Sequence, residues 1–180
     1  MKATGIVRRI DDLGRVVIPK EIRRTMRIRE GDPLEIYTSR EGEVIFKKYS
    51  LLGGVEDFAA ELCETMSRST GSVCAVTDRD TVIAVAGGSK RELMGKRITP
   101  ELEEIMEGRK IYQYSGDERA IPVSEGLDTL TAAVAAPILA EGDLLGLVLF
   151  ISTSPGAVTG ESEFKLAQTI AAFLGRHMES

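Results

Sequence analysis

Residues 1–50 carry all the elements of a small domain without the apolar mass to close one. GIVRRID (5–11) is a short β-branched run, and the DDLGR that overlaps its end has turn chemistry in Asp11, Asp12 and Gly14. RVVI (15–18) supplies a returning strand, and Pro19 suits a helix start, where its missing N–H costs nothing. IPKEIRRTMRI therefore predicts a helix. Glu30-Gly31-Asp32-Pro33 breaks it, and LEIYTS and EVIFKKY predict two strands across the turn at Arg40-Glu41-Gly42. This β-β-α-β-β segment has 19 apolar residues and no cysteine or metal motif. Segments this small rarely bury enough surface to stand alone. Association is the usual remedy: a dimer that interleaves its hairpins makes one core from two chains and repeats every surface feature about a two-fold axis.

Charge says what that surface meets. At 3.6 residues per turn Lys20, Arg23, Arg24 and Arg27 fall on one helical face, with Ile22 and Met26 on another and Glu21 off the basic row. Residues 1–50 hold 12 Lys/Arg against 8 Asp/Glu (net +4), and residues 51–180 hold 11 against 20 (net −9), giving −5 overall. Segregation of this kind predicts a polyanion-binding module joined to an acidic body that stays clear of the polyanion. A two-fold dimer matches the pseudo-symmetry of double-stranded DNA.

The run TGIVRRIDDLGRVVIPKEIRRTMRIREGDPLEIYTSREGEVIFKKY, with its D-x-x-G-R-V-V-I-P-x-E-I-R-R core, resembles the swapped-hairpin DNA-binding domain of AbrB-type transition-state regulators. The resemblance implies an intertwined homodimer in which Arg8, Arg15, Arg23 and Arg24 are the principal DNA contacts. Lys2, Arg9, Lys20 and Arg27 join them on charge geometry alone. Guanidinium groups grip phosphates bidentately and read guanine O6 and N7 in the major groove. The chain has no asparagine, and its two glutamines, Gln113 and Gln168, lie outside this segment, so bidentate adenine reading is unavailable. Recognition is expected to lean on phosphate contacts and DNA deformability rather than on a tidy consensus.

Beyond a short linker at 51–54, Val55, Phe58, Ala59, Leu62, Cys63 and Met66 form an amphipathic helical stripe. SVCAVTD and TVIAVAG predict two strands, TPELEEIMEG a helix capped by Thr99, and IYQYS, AIPV, TLTAAVAAPIL and LLGLVLFIST further strands, with AEGD as the last hairpin tip. Thr159 is expected to start a closing helix whose stripe is Phe164, Ala167, Ile170, Ala171, Leu174 and Met178. The order predicts an α+β domain over 55–180 with one antiparallel sheet flanked by helices. The hairpin VAAPILAEGDLLGLVLFIS and the element order resemble a GAF-type sensor domain. The pairing of the two domains resembles a family of developmental transcription regulators of spore-forming bacteria. That resemblance implies activation of some genes and repression of others in the forespore, by a homotetramer joined through its C-terminal domains. GAF domains take small molecules beneath a cover that maps to residues 87–130, but nothing in this stretch identifies a ligand. The asparagine-containing signature of cyclic-nucleotide binders cannot occur here. Gly87-Gly88-Ser89 reads as a turn, and Tyr112 and Tyr114 as strand packing.

Other classes find little support. Cys63 and Cys74 fit no metal spacing and read as small buried hydrophobes, so no metal site or cofactor is expected. A thiol-dependent methionine sulfoxide reductase of GAF type would need accessible, low-pKa cysteines with a resolving partner. His177 is the one histidine and is expected to be exposed, and no nucleophile constellation is visible. An antitoxin built on the same DNA-binding fold would carry a disordered tail where this chain has about 130 residues of folded pattern. No apolar run approaches the ~20 residues of a membrane span, and the start lacks a signal-peptide core, so a cytoplasmic protein is expected, with no membrane partner.

Overall fold

The computed structural model describes residues 4–154 and 156–179, which fall into two compact units, one ending at Tyr49 and the other beginning at Ser50. The first unit contains helix α1 (Lys20–Met26) and the antiparallel pair β1 (Leu34–Thr38) and β2 (Val44–Lys48), in register with Glu35 opposite Lys47 and Ile36 opposite Phe46. The period of two puts Ile36, Val44 and Phe46 on one face of this ribbon, and all three are exposed.

The strands expected at 5–11 and 15–18 do not form within the chain. Only their turn closes: Asp11 N–H donates to the Arg15 carbonyl and Gly14 N–H to the Asp11 carbonyl, each at 3.0 Å. The reason is packing. A lone two-stranded ribbon is marginal in water, and here the described residues leave most of its apolar side chains open, with Val7 89% and Val17 70% exposed. The expected helix is shorter at both ends. Pro19 stands at the N-cap rather than inside the first turn, and Arg27 ends the helix by entering the left-handed region at φ 51°.

The second unit is a five-stranded antiparallel sheet in the order β4-β3-β7-β6-β5. Its strands are β3 (Val73–Thr77), β4 (Val82–Ala86), β5 (Tyr112–Gln113), β6 (Thr131–Ala140) and β7 (Asp143–Ser152). β6 and β7 are apolar almost throughout because both faces of the sheet are covered. On one face α2 (Glu56–Thr70) and α5 (Glu161–Met178) bring Ala59, Cys63, Met66, Ala167, Ala171 and Leu174 onto Cys74, Val76, Val134, Val148 and Phe150. On the other, the short α3 (Lys90–Leu93) and α4 (Pro100–Glu107) bring Leu93, Leu102 and Met106 onto Ala75, Ala135, Leu147 and Leu149. Thr99 caps α4 as expected, its Oγ1 accepting from Leu102 N–H at 3.4 Å. The cap of α5 is Gly160, one residue after the expected Thr159, whose side chain makes no cap bond. AIPV is reduced to an isolated bridge between Pro122 and Thr131. The AEGD tip is a two-residue hairpin with positive φ at Glu141 and Gly142, which matches the right-handed twist of its strands.

Two glycines allow closely packed elements to meet. A Cβ on Gly146 of β7 would collide with the Thr77 carbonyl oxygen, and one on Gly175 of α5 with the Leu139 carbonyl oxygen.

Candidate nucleic-acid interface

The first unit is held by hydrogen bonds rather than by a core, since none of its described residues is buried. Its basic side chains are correspondingly open. Arg8, Arg9, Arg15, Lys20, Arg23 and Arg24 are exposed, Arg27 is half-buried, and Lys2 lies outside the described residues. Lys20, Arg23 and Arg24 share α1, so a single helix surface carries three cations, two of them in its last turn where they complement the helix dipole.

Arg15 is held in place by its own turn. Its Nε donates to Asp11 Oδ2 at 2.8 Å, while Asp11 Oδ1 accepts from the backbone N–H of Arg15 at 2.8 Å and of Leu13 at 3.0 Å. The aspartate thus builds the turn and aims the arginine with one carboxylate. The Arg15 amide, followed by its guanidinium, holds the Asp11 carboxyl below its ordinary value. The pair is exposed, so it contributes orientation far more than stability. Sequence reasoning assigned Asp11 to turn chemistry alone; the signal for its second role is the i, i+4 spacing of Asp11 and Arg15 across Gly14.

Arg27 departs from the predicted face. The left-handed turn lifts it off the helical row, and its backbone carbonyl is engaged with the sheet: Lys48 Nζ donates to it at 2.9 Å. On the β1–β2 ribbon Lys47 stands 4.7 Å over the Tyr37 ring, and Tyr37 Oη donates to Glu35 at 2.6 Å, which raises the phenol pKa. None of these ribbon residues was a sequence candidate.

The thiols of the second unit are inert. Cys63 and Cys74 are free and buried, and burial pushes both up to about 12, leaving negligible thiolate at neutral pH. The face beneath residues 87–130 is packed by Leu93, Ile98, Leu102, Met106 and Val123, each at most 1% exposed. Tyr114 is buried, and Tyr112 is half-buried beside Glu118, its phenol pushed up chiefly by burial. His177 is exposed, and its ring on α5 lies 4.7 Å from that of Phe58 on α2, tilted by 34°. Among the described residues no group of acidic, histidine or cysteine side chains is arranged to hold a metal, and no helix is long and apolar enough to cross a membrane.

Comparison with known proteins agrees with this division. Residues 54–179 match the family described as stage V sporulation protein T C-terminal, transcription factor, and residues 7–50 match the family described as antidote-toxin recognition MazE, bacterial antitoxin. Over 180 residues the chain is 49% identical to stage V sporulation protein T of Bacillus subtilis, covering 99% of each chain. Its match to the transition state regulatory protein AbrB of the same organism is 63% identical over 49 residues, 27% of this chain and 50% of AbrB. The solved DNA recognition domain of AbrB aligns with 27% of this chain and 91% of its own, with a TM-score of 0.23. The type II free methionine-R-sulfoxide reductase of Thermoplasma acidophilum is 11% identical with a TM-score of 0.52, covering 69% of this chain and 94% of that one, a likeness of fold alone. A basic unit related to AbrB, followed by a unit that matches the C-terminal family, thus runs in the same order along nearly the whole of a sporulation regulator, and the chain belongs to the stage V sporulation protein T family of transcription regulators.

Proposed function

We propose that this regulator grips double-stranded DNA as a dimer of its first fifty residues, with Arg8, Arg15, Arg23 and Arg24 as the principal contacts and Lys2, Arg9, Lys20 and Arg27 as secondary ones. The observation that carries this reading is the absence of any buried residue among residues 4–49, alongside exposed Val7, Ile10, Leu13, Val17, Ile36 and Phe46. Leaving such apolar surface in water is unfavourable by ~25 cal/mol per Å². A second copy laid on it completes the core and doubles the arginine surface about a two-fold axis. The outward aromatic cluster of Phe58, Phe173 and His177 on α2 and α5 supports further association of dimers into a tetramer through the second unit. The protein works in the cytoplasm, activating some promoters and repressing others, with its acidic second unit held off the duplex by charge.

The experiment is promoter-fragment binding by the full chain across a salt series. Arg23→Ala with Arg24→Ala weakens binding to all sequences and flattens the plot of log K against log salt, by about 0.9 for each phosphate that the helix ceases to neutralise. Unchanged affinity and slope in the folded double variant would remove α1 from the interface.

The MazE match gives the antitoxin reading its one support. The family assignment of residues 54–179 and their compact fold put a structured domain where that reading needs a toxin-wrapping tail.

A further inference from the structure

The helix that bears Arg23 and Arg24 has little of its own to hold it in place. It is seven residues long, whereas isolated helices under ~12–15 residues are marginal in water, and it has no buried residue. Its apolar packing within the chain is slight, with Ile22 half-buried and Met26 exposed. What ties its C-terminal end is polar. After Arg27 turns left-handed, Ile28 N–H returns to the Arg23 carbonyl at 2.8 Å, and the Arg27 carbonyl accepts from Lys48 Nζ at 2.9 Å across 21 positions of sequence. The same ammonium lies 3.7 Å from Asp32 Oδ2, and that oxygen also accepts Arg29 N–H at 2.8 Å. The Asp32 side chain is 4% exposed and that of Lys48 25%. Lys48 is the last residue of β2, opposite Leu34, and Tyr49 N–H bonds the Pro33 carbonyl at 3.0 Å just beyond it. One cation thus joins the helix end, the 28–33 turn and the base of the ribbon.

We infer that Lys48, together with Asp32, is a positioning residue for DNA binding: it fixes the direction in which α1 presents Arg23 and Arg24 without touching the duplex itself. The inference rests on the DNA-binding reading given above. A cation at this point also meets the negative end of the helix dipole, and Asp32, nearly out of water, costs the fold least while an ammonium faces it. The chemistry asks for a compact cation on a flexible stem, which can donate to a carbonyl and sit beside a carboxylate at once. A planar guanidinium of different reach serves this less well.

The test is promoter-fragment binding by the full chain over a salt series, with folding of each variant followed by circular dichroism. Lys48→Met and Asp32→Asn are each expected to lower affinity about tenfold while leaving the salt slope equal to that of the parent, because every cation that meets a phosphate is still present. Lys48→Arg is expected to recover part of the affinity, and Asp32→Asn with Lys48→Met to be no weaker than Lys48→Met alone, because both act through one clamp. A slope shallower by about 0.9 in Lys48→Met would make Lys48 a phosphate ligand and overturn the inference. Parent affinity in folded Asp32→Asn would overturn it too, and that milder variant decides the matter if Lys48→Met fails to fold. If the parent binds and Arg24→Ala is impaired while Lys48→Met and Asp32→Asn are not, only this inference fails; if the parent binds no duplex, the DNA-binding reading itself fails.

Discussion

Asp11 spends one carboxylate on two backbone amides and one guanidinium, and so couples the shape of a turn to the aim of Arg15. Because its folded pKa lies below the ordinary 3.8, the turn gains stability above that value and loses it as pH falls through the lowered one. An NMR titration of the Asp11 side-chain carboxyl is expected to show a midpoint under 3.8; a midpoint at or above it would mean that the pair with Arg15 does not persist in solution. Asp11→Ala is expected to weaken DNA binding by freeing Arg15, with a smaller effect than removal of Arg15 itself. At this scale the arginine row was legible in the sequence because helical spacing of like charge is a local property. Arg27 was not: its left-handed conformation arises where no glycine announces it, and its carbonyl is tied to Lys48, 21 residues away.

Sheet and helices of the second unit follow from period alone, since continuous apolar strands need helices on both faces and the stripes of α2 and α5 supply one cover. Close approach within those layers did not show in the sequence. Gly146→Ala and Gly175→Ala each push a methyl into a carbonyl of a neighbouring strand, and each is expected to destabilise the second unit by about 3 kcal/mol in chemical denaturation. Unchanged midpoints would mean that the strands are looser than described. The thiols give an independent check on the same layer. Cys63 and Cys74 should resist a thiol reagent at pH 8 in the native protein and react on unfolding. Their raised folded pKa also means that stability is lost as pH climbs above about 9, where the unfolded thiols ionise first. The first hairpin lies at the other extreme: its sequence is strand-like, but among the described residues its ladder does not form and most of its apolar side chains stay exposed, so local pattern predicted an element that these residues do not complete.

Across the whole molecule, charge and apolar exposure divide at the same place. The segment with net +4 has no buried residue among those described up to Tyr49, while the segment with net −9 carries a core on both faces of its sheet. A basic unit without a buried residue is attached to an acidic unit with a core, and in the dimer proposed above pairing would complete the fold and assemble the DNA surface in one step. Sedimentation velocity of the full chain with a labelled promoter duplex at moderate salt measures this most directly. The account predicts complexes holding two or four chains per duplex and none holding one; a stable complex of a single chain with DNA, or a free monomer that binds no duplex, would contradict it.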